Sequence, residues 1–432
     1  MNVPFFRPEL TETEIDAVAE TLRSGWLTTG PKVARFERAF ADAVGGRHAV
    51  ALNSCTAALH LATVALGLRR GQAVLVPTMT FAATAEVVRY AGAKVVLVDC
   101  DPVTLSMDLG DAEAKLDALR SGELLADGRL GPPEGGDGAE AVGMLPVHVG
   151  GLMMDVDALG RFADNHGLWM VEDAAHAFPA AWRQDEGTPW RRCGEGTSKV
   201  ACFSFYANKT ITTGEGGMAV TDDADLDAEM RSLSLHGLSK DAWGRYTSKG
   251  SWDYRILAPG YKYNLTDIAA ALGLHQLGRA EAMRVERQGI AEELMAGLGA
   301  VEEVELPPTH PDRIHSWHLF QIKLRLDRLS IDRDAFLDAL RERGVGFSVH
   351  WRPLHLHPYW SDVFSWRPEH LPAATEVWRR TVSLPIFPGM TAEERRAVVE
   401  AVADVCRRHR RSPRPSGVAP AGAPTVAPAE AP

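Results

Sequence analysis

The feature that most constrains this chain is the alternation of short β-branched runs with helical segments over its first half. The predicted strands are Ala49–Asn53, Ala73–Val76, Lys94–Val98, Leu145–Val149, Trp169–Val171, Val200–Phe205 and Met218–Thr221, and helices are predicted at Thr56–Leu68, Thr80–Tyr90 and Val156–Asn165. Strands that are joined through helices tend to run parallel, with helices on both faces of the sheet. The sequence therefore predicts an α/β fold with a mostly parallel central sheet.

A further helix is predicted near the start of the chain, at Thr11–Ser24. Thr11 and Glu14 have the spacing of a capping box, and Gly25 is a stop signal. One apolar face is expected from the residues that recur at helical spacing, which are Ile15, Val18, Ala19 and Leu22.

After about Leu277 the order of elements changes, which indicates a second, smaller α+β domain. The elements expected there are a helix, the strand His318–Leu324, the helix Arg333–Arg343, the strand Gly346–Val349 and a final helix opened by Thr391 with Glu394. We predict a large domain over residues 1–277, a small domain over 278–411, and a disordered Pro/Ala-rich tail over 412–432. The Gly/Pro-rich stretch at 121–137 is predicted to be an exposed, mobile loop.

Charge and cysteine content exclude several classes of protein. The net charge of -11 gives the chain no general electrostatic reason to bind nucleic acid or anionic lipid. The five cysteines form no CxxC pair, so their spacing suggests neither a disulfide framework nor a zinc site. The first residues lack the layout of a signal peptide, and no apolar run is long enough to span a bilayer. We expect a soluble protein of the cytoplasm.

The junction between a strand and a buried helix at Asn53–Ala58 is a candidate phosphate site. The first N–H groups of a helix lack intrahelical acceptors and lie at the positive end of the helix dipole, so an anion fits there. The alternative is that Ser54 or Thr56 is an ordinary cap of the helix.

An acidic residue and a lysine follow two further predicted strands. Asp173 follows the run Trp169–Val171, where a carboxylate could hold the nitrogen of a pyridine ring protonated, although a helix cap or a turn is the alternative. Lys209 follows Val200–Phe205, and desolvation there would lower the pKa of its amine, as a nucleophile requires. A lone lysine is otherwise usually a solvated surface group. Together with the candidate phosphate site, these residues indicate a site for pyridoxal phosphate (PLP).

A nicotinamide cofactor is not predicted. Gly214–Ala219 matches the GxGxxA dinucleotide pattern, but the strand-like run Met218–Thr221 follows it where that pattern requires a helix.

The order of these motifs resembles the sugar aminotransferases of the fold-type I PLP superfamily. The motifs that carry the resemblance are Ser24–Pro31, Ala51–Leu59, Pro77–Thr84, Ala201–Gly217, Gly260–Asp267, Ser316–Leu319 and Val349–His355. The resemblance extends from about Asn2 to Arg410. Within the family, the chain looks most similar to enzymes that aminate C4 of a UDP-linked keto-sugar, such as those that make 4-amino-4-deoxy-arabinose.

The resemblance implies a role for each matching residue. Lys209 would carry PLP as a Schiff base and shuttle protons, and Asp173 would pair with the pyridine nitrogen. His176 would lie near the 3-hydroxyl group and Phe81 would stack on the ring, with core packing as the alternative for both. The phosphate would be held by Thr56, Ala57 and Ser204, and by Asn264 from the neighbouring subunit of a homodimer.

Residues for the substrate follow from the same motifs. The candidates are Trp26, Thr28, His350 and His355. A metal site at His350, His355 and His357 is not predicted, because no nearby cysteine or carboxylate pair completes a ligand set. These histidines are expected to be structural or to form part of the pocket wall.

The resemblance implies an aminotransferase that takes an amino group from glutamate, releases 2-oxoglutarate, and passes the group to a nucleotide-linked keto-sugar. A keto-cyclitol as acceptor and a non-catalytic regulatory protein that binds PLP or a sugar are the alternatives. A PLP-dependent sugar dehydratase is disfavoured, because those relatives carry histidine where this chain has Lys209.

Overall fold

A computed structural model describes residues 2–131, 139–239 and 255–411 of the chain. The helices are α1 (Glu12–Ser24), α2 (Pro31–Val44), α3 (Cys55–Ala65), α4 (Ala82–Tyr90), α5 (Leu109–Arg120), α6 (Glu123–Ala126), α7 (Val156–His166), α8 (Ala224–Leu233), α9 (Asp267–Leu298), α10 (Arg333–Glu342), α11 (Pro358–Val363), α12 (Pro372–Trp378) and α13 (Ala392–Arg408). In the described parts of the chain, no helix is long and apolar enough to cross a membrane.

The strands are distributed over one large and two small sheets. They are β1 (His48–Leu52), β2 (Gln72–Pro77), β3 (Lys94–Val98), β4 (Glu140–Met144), β5 (Trp169–Asp173), β6 (Ala181–Trp182), β7 (Arg191–Arg192), β8 (Val200–Ser204), β9 (Gly217–Thr221), β10 (Val304–Glu305), β11 (Arg313–Ile314), β12 (Phe320–Leu324) and β13 (Thr381–Leu384). The large sheet has the order β1-β9-β8-β5-β4-β2-β3. Strands β8, β5, β4, β2 and β3 pair in parallel, whereas β9 pairs antiparallel with both β1 and β8. The prediction of a mostly parallel α/β sheet is confirmed.

The large sheet is buried because both of its faces pack against helices. Val74 and Val76 point to one core together with apolar residues of α3, whereas Ala73 and Leu75 point to another core together with residues of α5 and α7. This alternation along β2 explains why its sequence is apolar at nearly every position. The carboxyl ends of the parallel strands then meet at one edge of the sheet.

Residues after the middle of α9 pack around a separate core. This core joins α9, α10 and α13 to the three-stranded sheet β10-β12-β13. The domain boundary expected near residue 277 falls inside the single 32-residue helix α9. The division into two domains stays a prediction, and the tail at 412–432 lies outside the described residues.

Two of the predicted strands are wrong. The first of these is Leu145–Val149, because the strand there is β4, which covers Glu140–Met144 and ends before Leu145. Pro146 has no N–H to donate to a ladder, and after it only an isolated bridge joins Val147 to Asp173. The segment Gly346–Val349 is also irregular, because Gly346 packs against the N-terminal segment, where its N–H donates to the carbonyl of Val3.

The predicted loop at 121–137 is also wrong for its first part. Residues Glu123–Ala126 form the short helix α6, and Leu124 and Leu130 are buried in the core beside α5. Residues 132–137 lie outside the described residues.

Helix α1 has its predicted caps but turns a different face to the protein. The capping box of Thr11 and Glu14 is present, and Gly25 ends the helix in a left-handed conformation. The buried side is formed by Glu14, Ala17 and Thr21, whereas Ile15 and Leu22 are about half exposed. Glu14 is buried on this side because Gln276 and Arg279 of α9 donate hydrogen bonds to its carboxylate.

Candidate active site

A cavity of about 610 Å³ lies at the carboxyl ends of the parallel strands. The first turn of α3, the start of α4, and the ends of β5 and β8 form its floor. The segment Ser348–Trp351, which precedes α11, forms a wall. The fold therefore brings the three sequence motifs that follow β1, β5 and β8 to one space.

The first turn of α3 forms one end of the cavity. Ser54 caps this helix, and its Oγ accepts a hydrogen bond of 3.1 Å from the N–H of Ala57. Thr56 and Ser204 line the cavity, and their contact with a phosphate stays a prediction. Ala57 is buried and its N–H is already used by the cap, so the structure does not present this residue to the cavity. The remaining N–H groups of the first turn lack intrahelical acceptors, which makes this end suitable for an anion.

The start of β9 lies directly against this helix end. A Cβ added at Gly217 would be 2.5 Å from the backbone nitrogen of Cys55 and would also overlap the carbonyl group of Ser54. Only glycine permits this close approach of two backbones. The glycine-rich stretch Gly214–Ala219 thus shapes the anion end of the cavity. It leads into the strand β9 and not into a helix, as expected for a stretch that does not bind a dinucleotide.

Asp173 ends β5 as a buried acid with two hydrogen bonds. Its Oδ2 accepts from the Thr84 hydroxyl at 2.7 Å, and its Oδ1 accepts from the N–H of Ala175 at 3.1 Å. Burial raises the pKa of Asp173, whereas these hydrogen bonds and the charge of Lys209 oppose that rise. The donors therefore favour the ionised carboxylate inside a site that disfavours charge.

Lys209 lies in the turn that follows β8, where its N–H donates to the carbonyl of Tyr206. Its Nζ faces the cavity and lies 3.4 Å from Nε2 of His318. Burial lowers the pKa of Lys209 to about 8, although the carboxylate of Asp173 acts in the opposite direction. The neutral amine is therefore far more populated near neutral pH than in an exposed lysine.

His176 is buried beside the cavity in a fixed orientation. Its Nδ1 accepts a hydrogen bond of 3.2 Å from the N–H of Gly150, so Nε2 carries the proton of the neutral ring. Its ring stacks on Trp351 at a centroid distance of 5.0 Å. Burial holds the pKa of His176 well below its usual range, so the neutral ring is the stable form.

Two further predicted residues line the cavity. Phe81 caps α4 and is 63% exposed, which leaves the face of its ring available to a planar ligand. His350 lies in the opposite wall, and its Nδ1 is 2.9 Å from the hydroxyl of Ser383. Burial lowers the pKa of His350 to about 4, so this wall is uncharged at neutral pH.

His355 is a structural histidine rather than a residue of the cavity. It is 1% exposed, and its two ring nitrogens lie 2.8 Å from the hydroxyls of Thr78 and Thr375. Both nitrogens are already engaged and His355 does not line the cavity, so the contact between His355 and a substrate stays a prediction that this geometry does not support.

Trp26, Thr28 and Asn264 lie together outside the cavity wall that the described residues form. Nε1 of Trp26 donates to the carbonyl of Thr29, and the carbonyl of Thr28 accepts from the N–H of Asp267. Asn264 pairs with Leu52 at the end of β1, and its side chain donates to the Thr29 hydroxyl at 2.6 Å. Within one chain, none of these three residues lines the cavity that Lys209 faces.

The structure adds three residues that the sequence did not single out. Thr84 binds Asp173, His318 approaches Lys209, and Trp351 stacks on His176. Thr84 lies in the first turn of α4 beside Phe81, so its place at a strand-to-helix junction was a usable signal. His318 and Trp351 belong to motifs of the family resemblance, but nothing local in the sequence connects them to the lysine.

A buried group of His148, Glu172 and Cys193 has atoms close enough to hold a metal ion. The N–H of Met154 donates to Nδ1 of His148, so Nε2 carries the ring proton and donates to Glu172 at 2.7 Å. A ring nitrogen that carries a proton cannot bind a metal. This group is better described as a buried hydrogen-bonded pair that supports the end of β5.

The chemistry of the cavity fits PLP. A helix N-terminus suits its phosphate, a buried carboxylate suits its pyridine nitrogen, and a buried amine suits its aldehyde. The three groups come from α3, β5 and the turn after β8, and all line the same cavity.

Comparisons with known proteins agree with this chemistry. The model of the DegT/DnrJ/EryC1/StrS aminotransferase family matches residues 8–403. The chain is 40% identical over 406 residues to the spore coat polysaccharide biosynthesis protein SpsC of Bacillus subtilis (strain 168), which covers 94% of this chain and 97% of SpsC.

Solved structures show the same fold. The PLP form of Spr1654 from Streptococcus pneumoniae matches with a TM-score of 0.80 and 28% identity, and covers 94% of this chain and 99% of that one. The sugar aminotransferase CalS13 from Micromonospora echinospora matches with a TM-score of 0.77 and 28% identity over 93% and 99% of the two chains. The chain therefore belongs to the DegT/DnrJ/EryC1/StrS family of sugar aminotransferases, which are PLP-dependent enzymes of fold type I.

Proposed function

We propose that this enzyme transfers an amino group from glutamate to the keto carbon of a nucleotide-linked 4-keto sugar. The observation that carries the proposal is that a buried amine, Lys209, and a buried carboxylate, Asp173, line the same cavity. The N-terminus of helix α3 also faces this cavity. The names of relatives such as CalS13 support a sugar as the acceptor.

In this proposal Lys209 holds the cofactor and moves protons at the reacting carbon. PLP supplies a ring that accepts the electron pair released when a proton leaves that carbon. Asp173, oriented by Thr84, keeps the positive charge on the pyridine nitrogen. Thr56 and Ser204, which line the cavity, would hold the phosphate, and Phe81 would cover the face of the ring. His176, whose Nε2 carries the ring proton, would donate a hydrogen bond to the 3-hydroxyl group of the cofactor.

The acceptor would enter along the wall that carries His350. This wall is aromatic and uncharged near neutral pH, which suits the faces of a sugar ring better than a free anion. A cavity of about 610 Å³ can enclose the cofactor and one sugar, so an attached nucleotide would extend through the opening.

We further propose that the enzyme is a cytoplasmic homodimer with shared active sites. Four large apolar side chains on or beside α1 are exposed in the single chain: Leu10, Ile15, Leu22 and Leu27. An apolar strip of this kind is typical of a surface that a second copy covers. Asn264 lies outside its own cavity, where its side chain contacts Thr29 and Lys262, and in the proposed dimer its side-chain N–H would donate to the partner's phosphate. The five free cysteines support a reducing compartment.

The acceptor can be identified with a panel of nucleotide-linked keto-sugars and ¹⁵N-glutamate, read by mass spectrometry. We expect transfer of ¹⁵N to a nucleotide-linked 4-keto sugar together with formation of 2-oxoglutarate. Transfer only to a keto-cyclitol, or only to sugars without a nucleotide, would contradict the proposal. Lys209→Ala is the matched control, and borohydride should attach the cofactor to the Lys209 peptide of the parent protein alone.

A further inference from the structure

His176, His318 and His350 lie near Lys209, and His318 is within hydrogen-bonding distance of its amine. Its Nε2 lies 3.4 Å from Nζ of Lys209, and its ring contacts that of His176 at a centroid distance of 4.2 Å. His318 is 5% exposed and lies in the segment that leads into β12. His318 is not among the residues that line the cavity, so it contacts Lys209 from the protein side and not from the cavity.

The surroundings of His318 select one tautomer. Its Nδ1 is buried and has no hydrogen-bond partner among the described residues. An N–H that is buried without an acceptor is rarer in proteins than an acceptor left without a donor. The ring proton is therefore better placed on Nε2, where it faces Lys209.

We propose that His318 donates its Nε2–H to the lone pair of the Lys209 amine and so holds that amine in its neutral form. Only a neutral amine can attack an aldehyde or accept a proton from a reacting carbon. His318 is in this sense a positioning residue, since it acts through Lys209. The functional meaning rests on the proposed role of Lys209, whereas the hydrogen bond itself does not.

Burial favours the neutral form of both groups, whereas the nearby charges act on Lys209 and on His318 in opposite directions. Lys209 is faced by the carboxylate of Asp173, which favours the ammonium form, and by Cys55, which would do so only as a thiolate. His318 is faced by His176, His350, Lys209 and Arg287, and all of these disfavour a charged imidazole. A neutral His318 can donate to a neutral amine, whereas a protonated Lys209 would have to donate to a nitrogen that already carries a proton.

Arg287 also fixes the segment that carries His318. This arginine is 1% exposed, and its Nη1 donates to the carbonyls of Trp317 and Ile386 at 3.0 and 2.9 Å. The hydrogen bond to Trp317 holds the residue directly before His318, so α9 sets the position of the ring behind Lys209.

The test measures the protonation of Lys209 in the full-length protein after the cofactor has been removed. Trace labelling with acetic anhydride, followed by mass spectrometry of the Lys209 peptide, gives the neutral fraction of the amine at each pH. The parent should show a midpoint near pH 8. His318→Leu removes the donor and should raise that midpoint by about half a unit to one unit. His318→Gln keeps an N–H donor and should stay near the parent.

His315→Gln is the matched control, because His315 is buried in the same segment but stacks on Trp317 instead of facing Lys209. Its midpoint should equal that of the parent. An unchanged or lower midpoint in folded His318→Leu would overturn the proposal. If that variant does not fold, ¹⁵N-histidine NMR of the parent decides, because a proton on Nδ1 of His318 would exclude donation to Lys209. Borohydride labelling of a different lysine would refute the proposed role of Lys209 without affecting either measurement.

Discussion

An acid and an amine in the same cavity respond to burial in opposite directions. Burial raises the pKa of Asp173 and lowers the pKa of Lys209, because in both cases it penalises the charged form. The proposed reaction needs a neutral Lys209 amine but an ionised Asp173 carboxylate. Burial by itself favours the neutral amine. The hydrogen bonds from Thr84 and Ala175 are needed to keep the carboxylate ionised.

Replacement of the acid tests its proposed role directly. Asp173→Asn should keep the fold, since an amide has almost the same size, but it removes the negative charge beside the pyridine nitrogen. We expect amination to fall by on the order of 10² or more, measured as kcat under saturating substrates. A thermal melt checks the fold. A rate within a few-fold of the parent would show that this carboxylate does not act on the cofactor.

Removal of the Thr84 hydroxyl should lower kcat less than Asp173→Asn does, because it acts only through the Asp173 carboxylate. Thr84→Val removes the 2.7 Å hydrogen bond while preserving shape, so the pKa of Asp173 should rise further. We expect kcat to fall by roughly tenfold, with the greatest loss at low pH, where the carboxylate is most easily protonated. Thr84→Ser keeps the hydroxyl and should remain near the parent. Equal losses in both variants would point to a packing effect instead.

At the scale of elements, the site depends on how closely one strand approaches one helix. The start of β9 lies so near the first turn of α3 that Gly217 has no room for a side chain. This contact sets the position of the anion end relative to β8, because β9 pairs with both β1 and β8. A change there should affect cofactor binding without touching any reactive group.

Gly217→Ala should therefore weaken both the fold and cofactor affinity. The added methyl group would meet backbone atoms of Ser54 and Cys55, which cannot move aside as a flexible side chain can. We expect a loss of about 1–3 kcal/mol in the free energy of unfolding, together with a higher dissociation constant for PLP. Denaturant unfolding and a fluorescence titration measure the two effects.

Gly160→Ala is the comparison for this variant. Gly160 lies in α7 with nothing within 4 Å of the added Cβ, and alanine is the better helix former. It should be neutral or stabilising by about 0.5–1 kcal/mol. Similar destabilisation in both variants would mean that close approach is not the cause at Gly217.

At the scale of the whole molecule, one chain presents a nearly complete site and an unpaired apolar surface. Trp26, Thr28 and Asn264 form a patch beside the end of β1, separate from the cavity that Lys209 faces. The exposed residues of α1 adjoin this region in sequence. In the proposed homodimer the patch of one copy would lie beside the cavity of the other, which is the reason to test for sharing.

Complementation between two inactive variants tests the shared site. Asn264→Ala and Lys209→Ala should each be impaired alone. After mixing and reassembly, activity should return, because one site of each heterodimer then has both residues intact. Mass spectrometry confirms that heterodimers form. Formation of heterodimers without recovery of activity would show that each chain builds its own site.

The sequence by itself determined the features that depend on neighbours along the chain. Strand and helix alternation, the capping boxes of α1 and α13, and the junctions that carry Thr56, Asp173 and Lys209 all follow from local periodicity and from residues a few positions apart. Local signals failed where a glycine or a proline decided pairing, as at Leu145–Val149.

Only the tertiary structure decided which of these features meet. His318 approaches Lys209 across 109 positions of sequence, and Thr84 reaches Asp173 across 89. It also decided that α1 buries Glu14 rather than Ile15, because a hydrogen-bonded contact with α9 outweighed the apolar pattern. Burial depends on what the rest of the chain places around a residue, so neither the shifted pKa values nor the assembled cavity can be obtained from local sequence.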